Sequence, residues 1–196
     1  RLNIQHNDCG KPMVPLGGRP LIAHVRDRVA PQCDAITMIS ADARLAAGFP
    51  DLPLRPDVVG APGARLGPLA GILTALEWAA EAAAGRRHVL TVPCDTPFLP
   101  ADLAARLRAA ADPETVAVAE SGGLIHHTVA LWPVAQAPAL REGLVTGAVR
   151  AVKSWQAQVP LVTVDFPLPP RGPDPFFNVN TPEDLGAAAR FLGIRS

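Results

Sequence analysis

Short apolar runs alternate along the chain with alanine-rich stretches of helical periodicity. This order is typical of a sheet whose strands are joined by helices that pack on both of its faces. We therefore predict an α/β fold with three layers and a mostly parallel central sheet. Because 196 residues with 48% hydrophobic content suffice for one substantial core, we expect residues 1–196 to form a single domain.

The same patterns give approximate bounds for the elements. Strands are predicted at 35–39, 88–92, 115–119, 128–131 and 161–165. Helices are predicted at 20–29, 69–83, 101–110, 134–142, 146–155 and 182–192. The last helix has a strong start signal. Thr181 is a suitable N-cap residue, and Pro182 is a proline in the first turn. Glu183 and Asp184 place two negative charges near the positive end of the helix dipole.

The charge balance restricts what the chain can bind over its whole surface. Lys plus Arg and Asp plus Glu each total 18, so the formal net charge is zero. A general nucleic-acid partner would be matched by an excess of basic residues. An anionic ligand must therefore be held by a local site.

The cysteine pattern indicates a reducing compartment. Cys9, Cys33 and Cys94 are an odd number without a CxxC pair, which argues against a disulfide framework and a structural zinc site. The most apolar stretch, 66–84, is interrupted by Glu77, which indicates a packed helix rather than a membrane span. We therefore expect a cytoplasmic protein with no membrane and no nucleic acid as partner.

One carboxylate stands directly after a predicted strand. In an α/β sheet of this kind a ligand lies beyond the carboxyl ends of the strands, and strand 88–92 runs into the Pro-Cys-Asp-Thr-Pro segment 93–97. Mg²⁺ binds one or two carboxylates together with phosphate oxygens and water, so Asp95 is chemically sufficient for a metal site. The alternative is that Asp95 caps the following turn or helix.

Cys94 stands next to this aspartate. It has no basic neighbour in sequence that would activate its thiol, so we expect Cys94 to be a small buried hydrophobic residue.

Two further features are compatible with a phosphorylated ligand. Glycines bracket a predicted helix start at 67–71, where backbone amides can approach a base or a phosphate. Lys11 offers a point charge of the kind that binds phosphate. Each feature has an ordinary alternative, since glycine before a helix often serves turn geometry and an isolated lysine is usually a solvated surface residue.

The segment 177–182 carries asparagines at alternate positions. We predict a short strand there with Asn178 and Asn180 facing outwards, where their amides can hydrogen-bond a heterocycle or a ribose. The alternative assigns Asn180 or Thr181 to capping the helix that follows.

His126 and His127 are adjacent within a predicted strand region. Neighbouring residues of a strand point to opposite faces of the sheet. We therefore predict that the two imidazoles do not bind one metal ion together, and that at most one of them faces the cleft.

Taken in this order, the segments resemble the molybdenum cofactor guanylyltransferases, which have a nucleotidyltransferase fold of the Rossmann-like type. The resemblance covers nearly the whole chain, and its most specific elements are Pro-Cys-Asp at 93–95 and Asn-Val-Asn-Thr-Pro at 178–182. The other matching parts are Lys11 and the segments 15–21, 55–57, 67–71, 126–131 and 177–185.

The resemblance implies roles for individual residues. Asp95 would bind Mg²⁺ and Lys11 would contact the nucleotide phosphates, which makes these two the catalytic residues. Asn178 and Asn180 would lie towards the pterin substrate. The nucleotide would lie against Lys11, Asp57, Gly67, Pro68, Leu69, Ala70, Gly71 and Asp95.

The implied reaction transfers GMP from GTP to molybdopterin and releases pyrophosphate. A terminal phosphate oxygen of molybdopterin attacks the α-phosphate, while Mg²⁺ and Lys11 offset the charge that develops. The expected partners are GTP and molybdopterin, with molybdoenzyme-specific delivery proteins downstream. A cytidylyltransferase acting on the same pterin is the closest alternative, because base choice depends on a few loop residues around Asp57 and 67–71.

One part of the family pattern is not visible. Members begin with an apolar strand and a glycine-rich loop whose amides hold the phosphates, and residues 1–8 contain neither. Either residues are omitted from the sequence or the phosphate loop has been lost, and we favour omission because the later motifs are intact. A sheet without its first strand is expected to leave a long open edge. A lost loop would instead predict a non-catalytic module that binds the nucleotide or molybdopterin without turnover.

Overall fold

The computed structural model describes residues 10–56, 67–82 and 85–194. Strands and helices interleave through most of these residues, apart from two pairs of consecutive strands and one pair of consecutive helices. The strands are β1 (Pro15–Leu16), β2 (Arg19–Pro20), β3 (Met38–Ile39), β4 (Leu54–Arg55), β5 (His88–Thr91), β6 (Val116–Ser121), β7 (Leu124–Pro133) and β8 (Leu161–Asp165). The helices are α1 (Leu21–Val29), α2 (Leu45–Gly48), α3 (Pro68–Ala82), α4 (Leu103–Ala110), α5 (Ala137–Val145), α6 (Val152–Gln156) and α7 (Pro182–Phe191).

The largest sheet has four strands in the order β5-β7-β6-β8. The pairing of β6 with β8 is parallel, whereas β7 is antiparallel to both of its neighbours. The α/β class is confirmed, but the pairing in this sheet is mixed rather than mostly parallel. The cause is the tight turn at Gly122-Gly123, where φ angles of 53° and 79° let β6 return at once as β7. Such a short connection joins only antiparallel strands.

Helices cover both faces of this sheet. On one face α3, α5 and α6 pack against Val118 and Trp132. On the other face α1 and α4 pack around Ala119, Leu131 and Phe166. The three-layer arrangement predicted from the alternating pattern is therefore confirmed.

A smaller parallel pair, β3 with β4, stands apart from the main sheet. A cavity of about 990 Å³ separates β3 from the edge of β5 and is lined by residues of both strands. Within the described ranges, no strand pairs with that edge of β5 or with the edge of β3 that faces it. These two strand edges are therefore open within the described residues.

Two predicted elements are shorter in the structure. The helix predicted at 146–155 is reduced to α6, because Gly147 adopts a φ of 74°, outside the right-handed helical region. The strand predicted at 35–39 is reduced to β3, since its partner β4 lies between Pro53 and Pro56. Prolines have no N–H group to extend the ladder.

The structure also bears on membrane insertion. Among the helices of the described ranges, none is both long and apolar enough to cross a bilayer.

Candidate functional site

Asp95 lies just beyond the carboxyl end of β5, as the sequence predicts. The turn around it is closed by the Thr96 hydroxyl, which donates to the carbonyl oxygen of Pro93 at 3.0 Å. The alternative that Asp95 caps a helix is not supported, because the next helix, α4, has Asp102 at its N-cap position. The Asp95 carboxylate is therefore available for another role.

The carboxylate of Asp95 forms an ion pair with Lys11 through Oδ2. The same ammonium group donates to Oδ1 of Asn180 at 2.5 Å. The side chains of Lys11 and Asp95 are 31% and 14% exposed, so this junction lies at the mouth of the site with the carboxylate on its inner side. Three residues that the sequence analysis singled out separately thus meet at one point.

The second carboxylate oxygen of Asp95 is compatible with a metal ligand. Its Oδ1 atom is buried and has no hydrogen-bond partner among the described residues. Leaving a buried charged oxygen unpaired is costly, and a divalent cation is one partner that removes this cost. Within the described ranges no group of three or more His, Cys, Asp or Glu side chains is placed to hold a metal ion. Asp95 with substrate phosphates and water is nevertheless a complete ligand set for Mg²⁺.

The segment that carries the two asparagines is tied to the Asp95 turn. The backbone N–H of Val179 donates to the carbonyl oxygen of Asp95 at 3.0 Å, and the Val179 side chain is fully buried. Asn178 and Asn180 are exposed on either side of it, as the alternating pattern predicts. The short strand expected at 177–182 is not formed, because this one hydrogen bond replaces a regular ladder.

The start of α7 fixes the far end of this segment. The Thr181 hydroxyl accepts from the N–H of Asp184, and the Asp184 carboxylate accepts from the N–H groups of Asn180 and Thr181, both at 2.9 Å. The capping function belongs to Thr181, which leaves the Asn180 side chain free to contact Lys11. The hydrogen bond from Asn180 N–H contributes most to lowering the pKa of Asp184, which stays ionised near neutral pH.

The glycine-bracketed helix start lies on the cavity between β3 and β5. α3 begins at Pro68, and Gly67 before it adopts a φ of 74°, which favours glycine. Gly67, Pro68 and Gly71 line the same cavity as Asp95. Leu69 and Ala70 also belong to this predicted nucleotide site, but their side chains are fully buried, so only their backbone is left for a ligand. Asp57, the remaining predicted nucleotide contact, lies outside the described residues.

Residues 6–168 match the family model described as a MobA-like NTP transferase domain, which spans most of the chain. The chain belongs to this family. Two curated relatives are named molybdenum cofactor guanylyltransferase. The protein from Bradyrhizobium sp. strain ORS 278 is 44% identical over 94% of this chain and 85% of its own length. The protein from Rhizobium meliloti strain 1021 is 44% identical over 90% of this chain and 82% of its own length.

Solved structures of nucleotidyltransferases share the fold. Molybdopterin-guanine dinucleotide biosynthesis protein A from Archaeoglobus fulgidus aligns with a TM-score of 0.67 and 18% identity, over 93% of this chain and 90% of its own. A 2-C-methyl-D-erythritol 4-phosphate cytidylyltransferase from Thermus thermophilus aligns with a TM-score of 0.70 and 17% identity, over 94% of both chains. The expected Rossmann-like nucleotidyltransferase fold is thereby confirmed.

The thiol next to the metal candidate in this MobA-like transferase has a raised pKa. Burial raises the pKa of Cys94 to about 11, the negative charge of Asp95 adds to the effect, and Lys11 opposes it. The thiolate is the nucleophilic form, and it is scarce at neutral pH for such a group. Cys94 therefore acts as a small hydrophobic residue, as the sequence predicts.

The two adjacent histidines of the transferase have different partners. His126 contacts the hydroxyl of Ser121 at 2.8 Å. His127 Nδ1 contacts Oε1 of Gln156 at 2.6 Å, and the Gln156 amide donates to the His127 carbonyl oxygen. The two imidazoles thus do not converge on one ion.

The sequence analysis did not single out two polar residues near the carboxyl end of β6. Ser121, at the end of β6, is 1% exposed and donates to the carboxylate of Asp174, with both oxygens at 2.9 Å. Asp174 precedes the segment that carries the two asparagines. The two residues are 53 positions apart in the chain, so no local sequence pattern predicts their contact.

Proposed function

We propose that this protein transfers GMP from GTP to molybdopterin, forming the guanine dinucleotide cofactor and pyrophosphate. The observation that carries the proposal is the junction of Lys11, Asp95 and Asn180, with Oδ1 of Asp95 buried and unpaired. A cation, a carboxylate with a spare oxygen and an exposed amide meet there at the end of a strand. The names of the Bradyrhizobium and Rhizobium relatives support molybdopterin and GTP as the substrates.

The proposed reaction is a substitution at the α-phosphorus of GTP. A terminal phosphate oxygen of molybdopterin forms a bond to this phosphorus. The bond from the α-phosphorus to the oxygen that bridges it to the β-phosphate breaks, and pyrophosphate leaves with that oxygen. Negative charge grows on the transferring group and on pyrophosphate, so fixed positive charge lowers the barrier.

Lys11 and Asp95 are the residues to which we assign this electrostatic role. The Lys11 ammonium group contacts the nucleotide phosphates as a point charge. Members of this nucleotidyltransferase family generally need a divalent metal, and we assign Mg²⁺, because the site offers a hard oxygen ligand in Asp95. When bound there, Mg²⁺ supplies positive charge next to the phosphates.

Binding of the two substrates is divided between two parts of the site. We assign the nucleotide to the cavity lined by Gly67, Pro68 and Gly71, together with the backbone of Leu69 and Ala70 and with Asp57. We assign molybdopterin to the exposed amides of Asn178 and Asn180. Asn180 contacts Lys11, and Lys11 contacts Asp95, which lines the nucleotide cavity. These contacts support an arrangement in which the two parts lie next to each other, as an in-line transfer requires.

Guanine rather than cytosine is the base that we propose. The curated relatives are guanylyltransferases by name, and their identity to this chain is above 40%. The structural similarity to a cytidylyltransferase concerns the fold alone, at 17% identity. A direct comparison of GTP with CTP, with molybdopterin and Mg²⁺ present, tests this choice: pyrophosphate release should be much faster with GTP.

The cellular setting follows from the same function. We propose a single domain over residues 1–196 that works in the cytoplasm, where free thiols such as those of Cys33 and Cys94 stay reduced. Its product would pass to molybdoenzymes, with specific delivery proteins as further partners.

The decisive experiment combines turnover and binding. The purified protein with GTP, Mg²⁺ and molybdopterin should release pyrophosphate, and the variant Asp95→Ala should lower this rate by about a hundredfold or more. The matched control is Asp165→Ala, because Asp165 is exposed at the end of β8. Binding of both substrates without any turnover by the wild-type protein would instead identify a carrier and remove the proposed transfer activity.

A further inference from the structure

A polar network joins the β6–β7 hairpin to the segment that leads to the asparagines. Asp174 accepts from the Ser121 hydroxyl and, through Oδ1, from the N–H of Phe176 at 2.8 Å. His126 contacts Ser121 on its other side, and its ring lies 4.6 Å from the ring of Phe176. These four residues, Ser121, His126, Asp174 and Phe176, are called here the hairpin anchor.

The protons of the hairpin anchor have one consistent arrangement. A serine hydroxyl has a single proton, and a carboxylate can only accept. Ser121 therefore donates to Asp174 and accepts from His126, which must hold its proton on Nε2. Both the neutral Nε2–H tautomer and the charged ring carry this proton. Burial is the main factor that lowers the pKa of His126, so the neutral form prevails at neutral pH.

Two members of the hairpin anchor are buried. Ser121 and Phe176 are 1% and 2% exposed, and Phe176 also meets Phe166 edge to face at 5.3 Å. His126 and Asp174 are half-buried. A network built around the buried Ser121 hydroxyl favours one geometry, since losing a partner leaves this hydroxyl unpaired away from water.

The asparagine segment is therefore fastened at three points. The hairpin anchor holds it at Asp174 and Phe176, the Asp95 carbonyl oxygen holds it at Val179, and the α7 capping box holds it at Thr181. Between these points it has no regular secondary structure, so these anchors, together with the contact of Lys11 with Asn180, determine where its exposed amides point.

We propose that Ser121 and Asp174 are positioning residues for the acceptor substrate, acting by fixing the segment that presents Asn178 and Asn180. This inference rests on the proposed function, because it takes molybdopterin as the ligand of those amides. GTP lies on the other part of the proposed site, next to the α3 start, so the hairpin anchor should affect the two substrates unequally.

The first test measures binding and needs no turnover. Asp174→Ala should raise the dissociation constant for molybdopterin about tenfold or more. The dissociation constant for GTP should stay within about twofold of the wild-type value. Asp174→Asn keeps an acceptor for Ser121 and the Phe176 N–H, so it should restore molybdopterin binding to within about threefold of wild type. Ser121→Ala should resemble Asp174→Ala, with Ser154→Ala on the exposed face of α6 as the matched control.

A second measurement follows the segment itself. Backbone amides of residues 176–179 should exchange with deuterium about tenfold faster or more in Asp174→Ala than in the wild-type protein, and those of α5 should not change. Equal weakening of both substrates, or unchanged molybdopterin binding together with unchanged exchange, would overturn the inference. A wild-type protein that binds molybdopterin but transfers no GMP would remove the proposed function, while the binding comparison still decides the role of the hairpin anchor.

Discussion

Lys11 and Asp95 form an ion pair although they stand 84 positions apart in the chain. Lys11 belongs to a short 3₁₀ helix, Lys11–Met13, before the first strand, and Asp95 to the turn after β5. A third residue, Asn180, shares the ammonium group of Lys11. This junction is therefore assembled from three distant segments, and Lys11 supplies the positive charge that faces Asp95.

Replacing this lysine should damage activity far more than stability. In Lys11→Ala the Asp95 carboxylate loses its charged partner, but the lysine is about one third exposed and screened by water, so we expect a loss of only about 1 kcal/mol. The rate of pyrophosphate release should fall by about a hundredfold or more, because the charge beside the transferring phosphate is gone. Steady-state kinetics measure the effect on the rate, and thermal unfolding measures the effect on stability. The control is Lys153→Ala, because Lys153 lies on the exposed face of α6. A rate within about threefold of wild type would remove Lys11 from the proposed mechanism.

The positions of the site residues were partly predictable from the sequence. A strand followed by a proline-flanked aspartate placed Asp95 at the sheet edge, and the cap signals placed Thr181 and the start of α7. The contact of Lys11 with both Asp95 and Asn180 was not predictable, because it depends on how three segments pack. Neither was the hairpin anchor, because Ser121 and Asp174 gave no local signal and His126 was noted only as one of two adjacent histidines.

The fold shows the same division between local and long-range information. Helices with clear periodicity, such as α1, α3 and α7, begin and end within one or two residues of the prediction. The direction of β7 was missed, although Gly122-Gly123 between two apolar runs is a hairpin signal. The prediction of a mostly parallel sheet had no helix between the strands at 115–119 and 128–131, and the turn chemistry of two glycines decided the pairing there.

A matched pair of glycine substitutions should test the role of that turn. Gly122 has a φ of 53°, and a Cβ atom added there would lie 3.1 Å from Cδ1 of Leu168, so Gly122→Ala should destabilise the protein by about 1–2 kcal/mol. Gly186 lies inside α7 with only the far end of Arg190 nearby, at 3.6 Å, so Gly186→Ala should stabilise it by about 0.5–1 kcal/mol. Chemical denaturation of both variants shows whether each substitution raises or lowers the free energy of unfolding. A Gly122→Ala protein as stable as wild type would contradict the strain assigned to this turn.

The capping box of α7 should make stability depend on acidic pH. The hydrogen bonds from Asn180 N–H and Thr181 N–H lower the pKa of Asp184 below its ordinary value of 3.8. A carboxyl group whose pKa is lowered by folding contributes stability above its unfolded pKa and loses it as the pH falls through the folded value. Wild type should therefore have a higher melting temperature than Asp184→Asn at about pH 6, and the difference should shrink below about pH 4 as Asp184 becomes protonated.

Thermal unfolding of both proteins across this pH range measures the effect. The control is Glu183→Gln, which removes a first-turn acid outside the capping box. A difference that stays constant from pH 6 to below pH 4 would show that ionised Asp184 does not stabilise the helix start.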